Sequence, residues 1–220
     1  MKCLLKHGAE VNAVNSADQT PLHIAARLGQ TKIVELLFLH NANFSLRDKD
    51  GNTVLLSASI NGHLDTVRVI VQLGGNIEDT DRKGNTIAHF AVANEKYEIL
   101  NFLSQQNVSL DVQNSDGRTA LWVAAKRGHK SIIRFLLQNG CCANIPDCEG
   151  VTPVTIAARE CHWNSVNEFF NHDPSIKPEE AEHLTNQLHK FSESGNAKDL
   201  RIVLKCGINV NTTNEIDATP

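Results

Sequence analysis

TPLHIAARLGQTKIVELL (residues 20–37) decides the fold of this 220-residue chain. Its threonine recurs at a fixed step of 33 residues, and an alanine follows each threonine five residues later, from Ala25 to Ala157. Coincidence at two positions in five copies marks internal repeats, and a period of about 20–50 residues predicts a stacked repeat architecture. The five threonines are Thr20, Thr53, Thr86, Thr119 and Thr152.

The residue that stands 21 positions after each threonine predicts where a helix ends. Every occupant is Gly, Asn or Asp, the types that enter the left-handed backbone region at least cost. In the fourth repeat, two helices are predicted before this position, about Ala120–Arg127 and Lys130–Asn139. Glu95 and Cys161 stand where other repeats have Gly, and Ser59 and Val92 stand where three repeats have Ala, so these sites are predicted weak points. The five end positions are Asn41, Gly74, Asn107, Gly140 and Asp173, and the series extends back by 33 residues to Gly8 and forward by 34 to Gly207.

Polar segments separate the helical patterns. FSLRDKDGN (44–52) and IEDTDRKGN (77–85) each hold an Asp-x-x-Gly core directly before the next threonine. Asp and Gly in this arrangement predict a tight turn, because Asp bonds the backbone ahead of it and Gly accepts a positive φ.

A 33-residue unit with T-P-L-H-x-A, paired helices and a turn resembles the ankyrin repeat. The resemblance implies an all-α fold, a solenoid of stacked helix-turn-helix units with protruding β-hairpin or turn fingers. It covers nearly the whole chain, which is interpreted as a single ankyrin-repeat domain over residues 1–220. Its predicted parts are a partial repeat (1–14), repeats one to five (15–47, 48–80, 81–113, 114–146 and 147–180), an irregular repeat (181–213) and the start of another (214–220).

The sixth unit departs from the pattern. Its step is 34 residues, Asn186 replaces the threonine, and Phe191 stands where a small Ala is expected. Residues 177–191 are predicted to form one longer helix, so the finger around 174–183 is expected to be missing or distorted. Neither end of the array carries a clearly polar outer face, which predicts that the chain belongs to a longer array or a larger protein.

Composition limits the class of protein. The formal net charge is −4, which disfavours nucleic-acid binding through the whole surface. No apolar run approaches the roughly 18–20 residues that cross a bilayer, so membrane insertion is not expected. The six cysteines form no C-x-x-C pair, which favours a reduced intracellular protein, in the cytoplasm or alternatively the nucleus.

The chain lacks the common motifs for nucleotide phosphates, zinc proteases and serine hydrolases. Thr20 and His23 resemble a proton-transfer pair, but a catalytic pair would not be copied at the structural period, so both are predicted to support the repeat. Neighbouring Cys161 and His162 cannot face each other on a helix. No enzyme activity, cofactor, metal or small-molecule substrate is therefore expected. The metal arrangements considered and disfavoured are Cys141, Cys142 and Cys148 with Cys161–His162, and His183 with His189.

The resemblance implies that partner contacts come from the turn tips and the exposed face of each first helix. Across these places, eight basic side chains outnumber four acidic ones. This excess predicts a basic groove centred on repeats three and four, facing an acidic segment of another protein. The opposing interpretation is a solvated face, since Asp48, Asp81 and Asp147 flank the same turns. The predicted contact residues are Lys49, Arg82, Lys83, Asn85, Arg118, Trp122, Lys126, Arg127 and Arg159.

Two of these interpretations leave alternatives open. Trp122 is either a binding hot spot or a packing residue against the next repeat. The chain is interpreted as a monomeric, non-enzymatic scaffold or adaptor; the alternative is the substrate-recruiting arm of a larger enzyme such as a ubiquitin ligase or a kinase, and nucleic-acid binding is a weaker third class. LLKHGAEVN (4–12) also resembles the context of ankyrin-type asparagine hydroxylation at Asn12.

Overall fold

A computed structural model describes residues 10–176, 192, 194–195 and 197–205. These residues do not include Gly8 and Gly207 as predicted helix ends, Asn186 as the lost cap, or the predicted opening of a further repeat at 214–220. The predicted helix over 177–191 also lies outside them. The chain divides into two compact units, one ending at Ser115 and the other beginning at Asp116. The single domain and its repeat boundaries stay predictions.

Helices form the described parts of both units, and the predicted all-α repeat fold is confirmed. The described residues contain no strand, only one antiparallel bridge between Thr80 and Thr86, so the fingers there are turns. The first unit holds α1 Pro21–Arg27, α2 Thr31–Leu39, α3 Val54–Ile60, α4 Leu64–Gln72, α5 Ile87–Ala93 and α6 Tyr97–Ser104. The second unit holds α7 Ala120–Arg127, α8 Lys130–Gln138, α9 Pro153–Arg159, α10 Trp163–His172 and α11 Ala197–Lys205.

The recurring threonine starts the first helix of each pair. Thr20, Thr119 and Thr152 have extended backbones, and their hydroxyls accept a bond from the amide three residues on, at 3.3, 3.2 and 3.4 Å. Such a cap satisfies one of the free amides at a helix start and is worth about 1 kcal/mol. The proposed role of the threonine as an N-cap is therefore confirmed.

Small residues on the first helices and branched residues on the second helices form the core. The alanine five residues after each threonine is at most 3% exposed in all five copies. On α8, Ile133 and Leu136 are fully buried, as the apolar pattern of that helix predicts. Alanine lets neighbouring pairs approach closely, and one pair alone could not bury these faces.

The predicted helix ends are confirmed at four positions and wrong at one. Asn41, Gly74, Asn107 and Gly140 have φ values of 62°, 97°, 54° and 81°. Asp173 is extended instead, with φ −147° and ψ 111°, because α10 continues to His172. Its carboxylate then accepts bonds of 2.8 Å from the backbone amide and the hydroxyl of Ser175.

Two predicted weak points carry backbone strain. Glu95 and Cys161 have φ values of 54° and 57°, in the left-handed region that Gly29 and Gly128 occupy in other repeats. A side chain in that region costs about 1 kcal/mol or more. Ser59 and Val92 are instead well accommodated, since both are fully buried and the Ser59 hydroxyl donates to the Leu55 carbonyl at 2.8 Å.

Candidate protein-interaction surfaces

An aspartate organises three of the finger turns. One carboxylate oxygen of Asp81 accepts bonds from the amides of Lys83 and Asn85, both at 2.8 Å, and the Asp81 amide donates to the Asn85 carbonyl. Asp48 and Asp147 repeat this geometry in their own turns. The three aspartates that reduce the local positive charge are thus turn-forming residues, and the turns hold the side chains at their tips in fixed places.

In the unit that ends at Ser115, three predicted contact residues are exposed cations. Lys49, Arg82 and Lys83 lie at turn tips and have no carboxylate partner among the residues the structure describes. Asn85 differs, because its amide group is already used twice. It donates to Asp81 at 2.9 Å and accepts from Asn114 at 2.8 Å, so this side chain holds turns together.

In the other unit, Arg118, Trp122 and Lys126 form a cluster with a spacing of four residues. The guanidinium carbon of Arg118 lies 4.4 Å from the centroid of the Trp122 ring, and the Lys126 ammonium lies 5.5 Å from it. Both distances suit cation–π attraction. Trp122 itself is 3% exposed, which favours its packing role, and it contributes to the surface by holding two cations.

The cations of this second unit differ in their partners. Arg118 lies 2.9 Å from a carboxylate oxygen of Asp116 and 3.8 Å from one of the buried Asp147. Lys126 is exposed and has no carboxylate partner in the described part of the chain. Arg127 is also exposed, and Arg159 is half-buried. Lys126 therefore supplies accessible positive charge at this end of α7.

His23 is a structural residue. Its Nδ1 accepts from the Thr20 amide at 3.3 Å, and its Nε2–H donates to the Asn52 carbonyl in the next finger turn at 3.2 Å. Burial lowers the pKa of His23, against a smaller opposing effect of the bond to Asn52, so the neutral ring is favoured. Both ring nitrogens are bonded within the stack, which fits the predicted structural role of Thr20 and His23.

A family model described as ankyrin repeats, in three copies, matches residues 1–48, 38–114 and 88–180. The chain belongs to the ankyrin repeat family. This family is a protein-interaction module and is generally non-catalytic.

Curated relatives match single stretches of this ankyrin array. The inactive serine/threonine-protein kinase TEX14 of Bos taurus is 44% identical over 63 residues, which are 29% of this chain and 4% of that protein. Rabankyrin-5 of Mus musculus is 41% identical over 54 residues, 24% of this chain and 5% of the relative. BCL-6 corepressor-like protein 1 of Mus musculus is 35% identical over 63 residues, again 29% and 4%. The chain thus spans only a small fraction of these relatives.

An ion-pair cluster between two second helices of the ankyrin stack was missed by the sequence reasoning. Glu168 on α10 is 5% exposed and accepts two bonds from Arg134 on α8, at 2.7 and 3.0 Å, while the Lys130 ammonium lies 3.3 Å away. The bonds from Arg134 hold the pKa of Glu168 below its usual value. Opposite charges about one period apart on the second helices were the signal that could have revealed it.

The remaining sequence predictions concern metal binding, membrane insertion, the cysteines and Asn12. In residues 10–176 and 197–205, no three His, Cys, Asp or Glu side chains are grouped as a metal site would require. No described helix is long and apolar enough to cross a membrane. Cys141 is buried, whereas Cys142, Cys148 and Cys161 are exposed. The Asn12 side-chain oxygen accepts a bond from the Asn43 amide at 2.9 Å, and its hydroxylation stays a prediction.

Proposed function

We propose that this chain is a monomeric scaffold or adaptor whose finger turns and first helices bind an acidic segment of a partner protein. The pairing of the cations supports the proposal. Lys49, Arg82, Lys83 and Lys126 are exposed without a carboxylate partner among the described residues, whereas Arg118 has two. Cations left without a carboxylate partner are available for charge-assisted hydrogen bonds to the carboxylates of a partner protein.

The rigidity of the fingers adds to this argument. Asp48, Asp81 and Asp147 fix three of the turns, and neighbouring turns are joined by backbone bonds, such as that from the Ser115 amide to the Lys83 carbonyl at 2.8 Å. Preorganised side chains lose little entropy when they bind. Exposed charges also accelerate encounter with an oppositely charged segment, and salt weakens this effect.

Affinity capture with charge-reversed variants tests the proposal. One variant carries Arg82→Glu and Lys83→Glu, a second carries Lys126→Glu and Arg127→Glu, and the control carries Lys32→Glu and Lys205→Glu on exposed second-helix positions. Arg118 is left intact because its ion pairs support the turn. Circular dichroism should show all three to be folded. At least one finger or α7 variant should recover about tenfold less partner, with the control unchanged.

Steep salt dependence of the captured interaction should accompany the loss. Equal recovery by all variants, or recovery that salt does not change, would contradict the basic surface. The outcome for each unit is read separately, since the two double variants lie in different units.

The second candidate is a substrate-recruiting arm of a larger enzyme, such as a ubiquitin ligase or a kinase. It is favoured by the size of the relatives, of which the matched stretches make up 4–5%. Full-length transcript sequencing tests it. A catalytic domain in the same reading frame would support this candidate, and a transcript that encodes only repeats would remove it.

A further inference from the structure

Repeat three departs from the others at one core position. The residue two places after the threonine is Leu22, Leu55, Leu121 and Val154 in four repeats, and each is at most 2% exposed. In repeat three it is Ala88, which is 4% exposed. Ala88 lacks the isopropyl group that leucine places in the core. A large-to-small difference of this kind leaves a cavity when the surroundings cannot close over it.

A cavity of about 320 Å³ lies beside Ala88, within the unit that ends at Ser115. Its deep walls are apolar, because Ile87 and Leu103 are at most 2% exposed and Leu110 is 9% exposed. The segment after α6 contributes Val108, Ser109, Leu110 and Val112, and Val112 is 38% exposed, so that side opens to solvent. Apolar cavities remain dry and take up hydrocarbon groups.

The polar groups of the lining distinguish the interior from the rim. The Thr86 hydroxyl lies 2.9 Å from the His89 ring nitrogen and is therefore engaged within the repeat. Glu78 is exposed, and its carboxylate has no cation partner in the part of the chain the structure describes. The neighbouring Asp79 lies 3.8 Å from Arg47. The cavity thus combines an apolar interior with an available negative charge at its exposed side.

We propose that this cavity is a second docking site, which receives a leucine-like side chain flanked by a basic residue from a partner protein. The branched apolar side chain replaces the group that Ala88 lacks, and the flanking cation faces Glu78. The site is independent of the basic surface proposed above, since none of the predicted contact residues lines it. Its specificity is for a basic, apolar segment.

Methyl nuclear magnetic resonance of the full chain tests the site with three blocked tripeptides. Lys-Leu-Lys is the probe, Lys-Ala-Lys removes the apolar side chain, and Glu-Leu-Glu reverses the flanking charge. Lys-Leu-Lys should shift the methyl signals of Ile77, Ile87 and Leu110 saturably, with those of Ile132 and Ile133 as internal controls in the other unit. Lys-Ala-Lys should bind about tenfold or more weakly, and Glu-Leu-Glu about two- to fivefold more weakly.

Variants of the chain separate the two parts of the proposal. Ala88→Leu should fill the cavity and weaken Lys-Leu-Lys binding about tenfold or more, and Ala88→Val serves if leucine prevents folding. Glu78→Gln should remove the preference for Lys-Leu-Lys over Glu-Leu-Glu. No saturable shift with wild type, or equal binding by the cavity-filled variant, would overturn the site. An unchanged charge preference in Glu78→Gln would overturn the role of the basic flank.

Discussion

Two junctions between neighbouring repeats join equivalent helix pairs through different side-chain contacts. At the junction of repeats four and five, the Trp122 ring N–H donates to the Val151 carbonyl at 3.0 Å, and His162 donates to the Lys126 carbonyl at 3.1 Å. Arg134 adds a bidentate pair with Glu168. Polar bonds therefore hold this junction at its first helix, its helical turn and its second helix.

The junction of repeats two and three replaces these bonds with apolar and cation–π contacts. Leu56 occupies the position of Trp122 and has no ring N–H to donate. Lys96 occupies the position of His162, and its aliphatic chain packs over Gly62. The Arg68 guanidinium lies 5.3 Å from the centroid of Phe102. The comparison shows that the side-chain contacts between neighbouring repeats can differ when the capping threonine and the turns are retained.

The largest effect is expected at Trp122. Trp122→Ala should lower the free energy of unfolding by about 3–5 kcal/mol, since it removes a buried ring and leaves the Val151 carbonyl without its donor. Trp122→His should recover part of the loss, because His23 makes the equivalent bond to Asn52. Urea unfolding of the three proteins measures this. Equal losses in both variants would show that the ring's volume alone matters.

Two glycines of repeat four separate backbone strain from steric clash. Gly140→Val should cost about 1–3 kcal/mol, because φ is 81° there and a Cβ would meet nothing within 4 Å. Gly128→Val should cost more, since φ is 70° and a Cβ would lie 2.7 Å from the His162 ring. Thermal unfolding gives both values. An unchanged midpoint for Gly140→Val would contradict the assignment of Gly140 as a helix end.

The Glu168 cluster should make the junction of repeats four and five sensitive to acid. The pKa of Glu168 is lower in the folded chain than its ordinary value of 4.5, chiefly through the bonds from Arg134. Its stabilisation is therefore complete above about pH 4.5 and is lost as the pH falls towards the folded pKa. Glu168→Gln should lower the free energy of unfolding by about 1–2 kcal/mol at neutral pH and flatten this acid dependence. Urea unfolding at pH 7 and pH 4 measures both, and parallel pH profiles would contradict the role of the carboxylate.

The smallest effect concerns the helix–helix turn of repeat three. Glu95→Gly should stabilise the chain by about 0.5–1 kcal/mol, because φ is 54° at this position and glycine relieves the strain. Cys161→Gly, with φ 57°, is the matched change in repeat five. Thermal unfolding should show both midpoints rising. A fall in either would mean that the lost side-chain contacts outweigh the strain.

Local signals made most of the fold predictable. Thr119 and the residues after it define α7 because capping and helical periodicity act within a few residues. The prediction for Asp173 was wrong because α10 is one residue longer than the equivalent α8, so Asp173 stands directly after the helix. The Glu168 cluster and the cavity beside Ala88 required the stacked geometry, since both combine side chains from neighbouring repeats. The sequence showed which residues of the predicted surface are charged, but it did not show which of them form ion pairs within the chain.

The ring bonds of His23 and Trp122 have a consequence for shortening the array. Each donor is buried in one repeat, and its acceptor is the carbonyl directly before the next repeat's threonine. A protein cut at residue 146 would retain the Trp122 donor and lose Val151, while one cut at residue 152 would keep both. A stable fragment should therefore not end at a boundary of the sequence repeat. It should include the finger turn that follows its last helix pair.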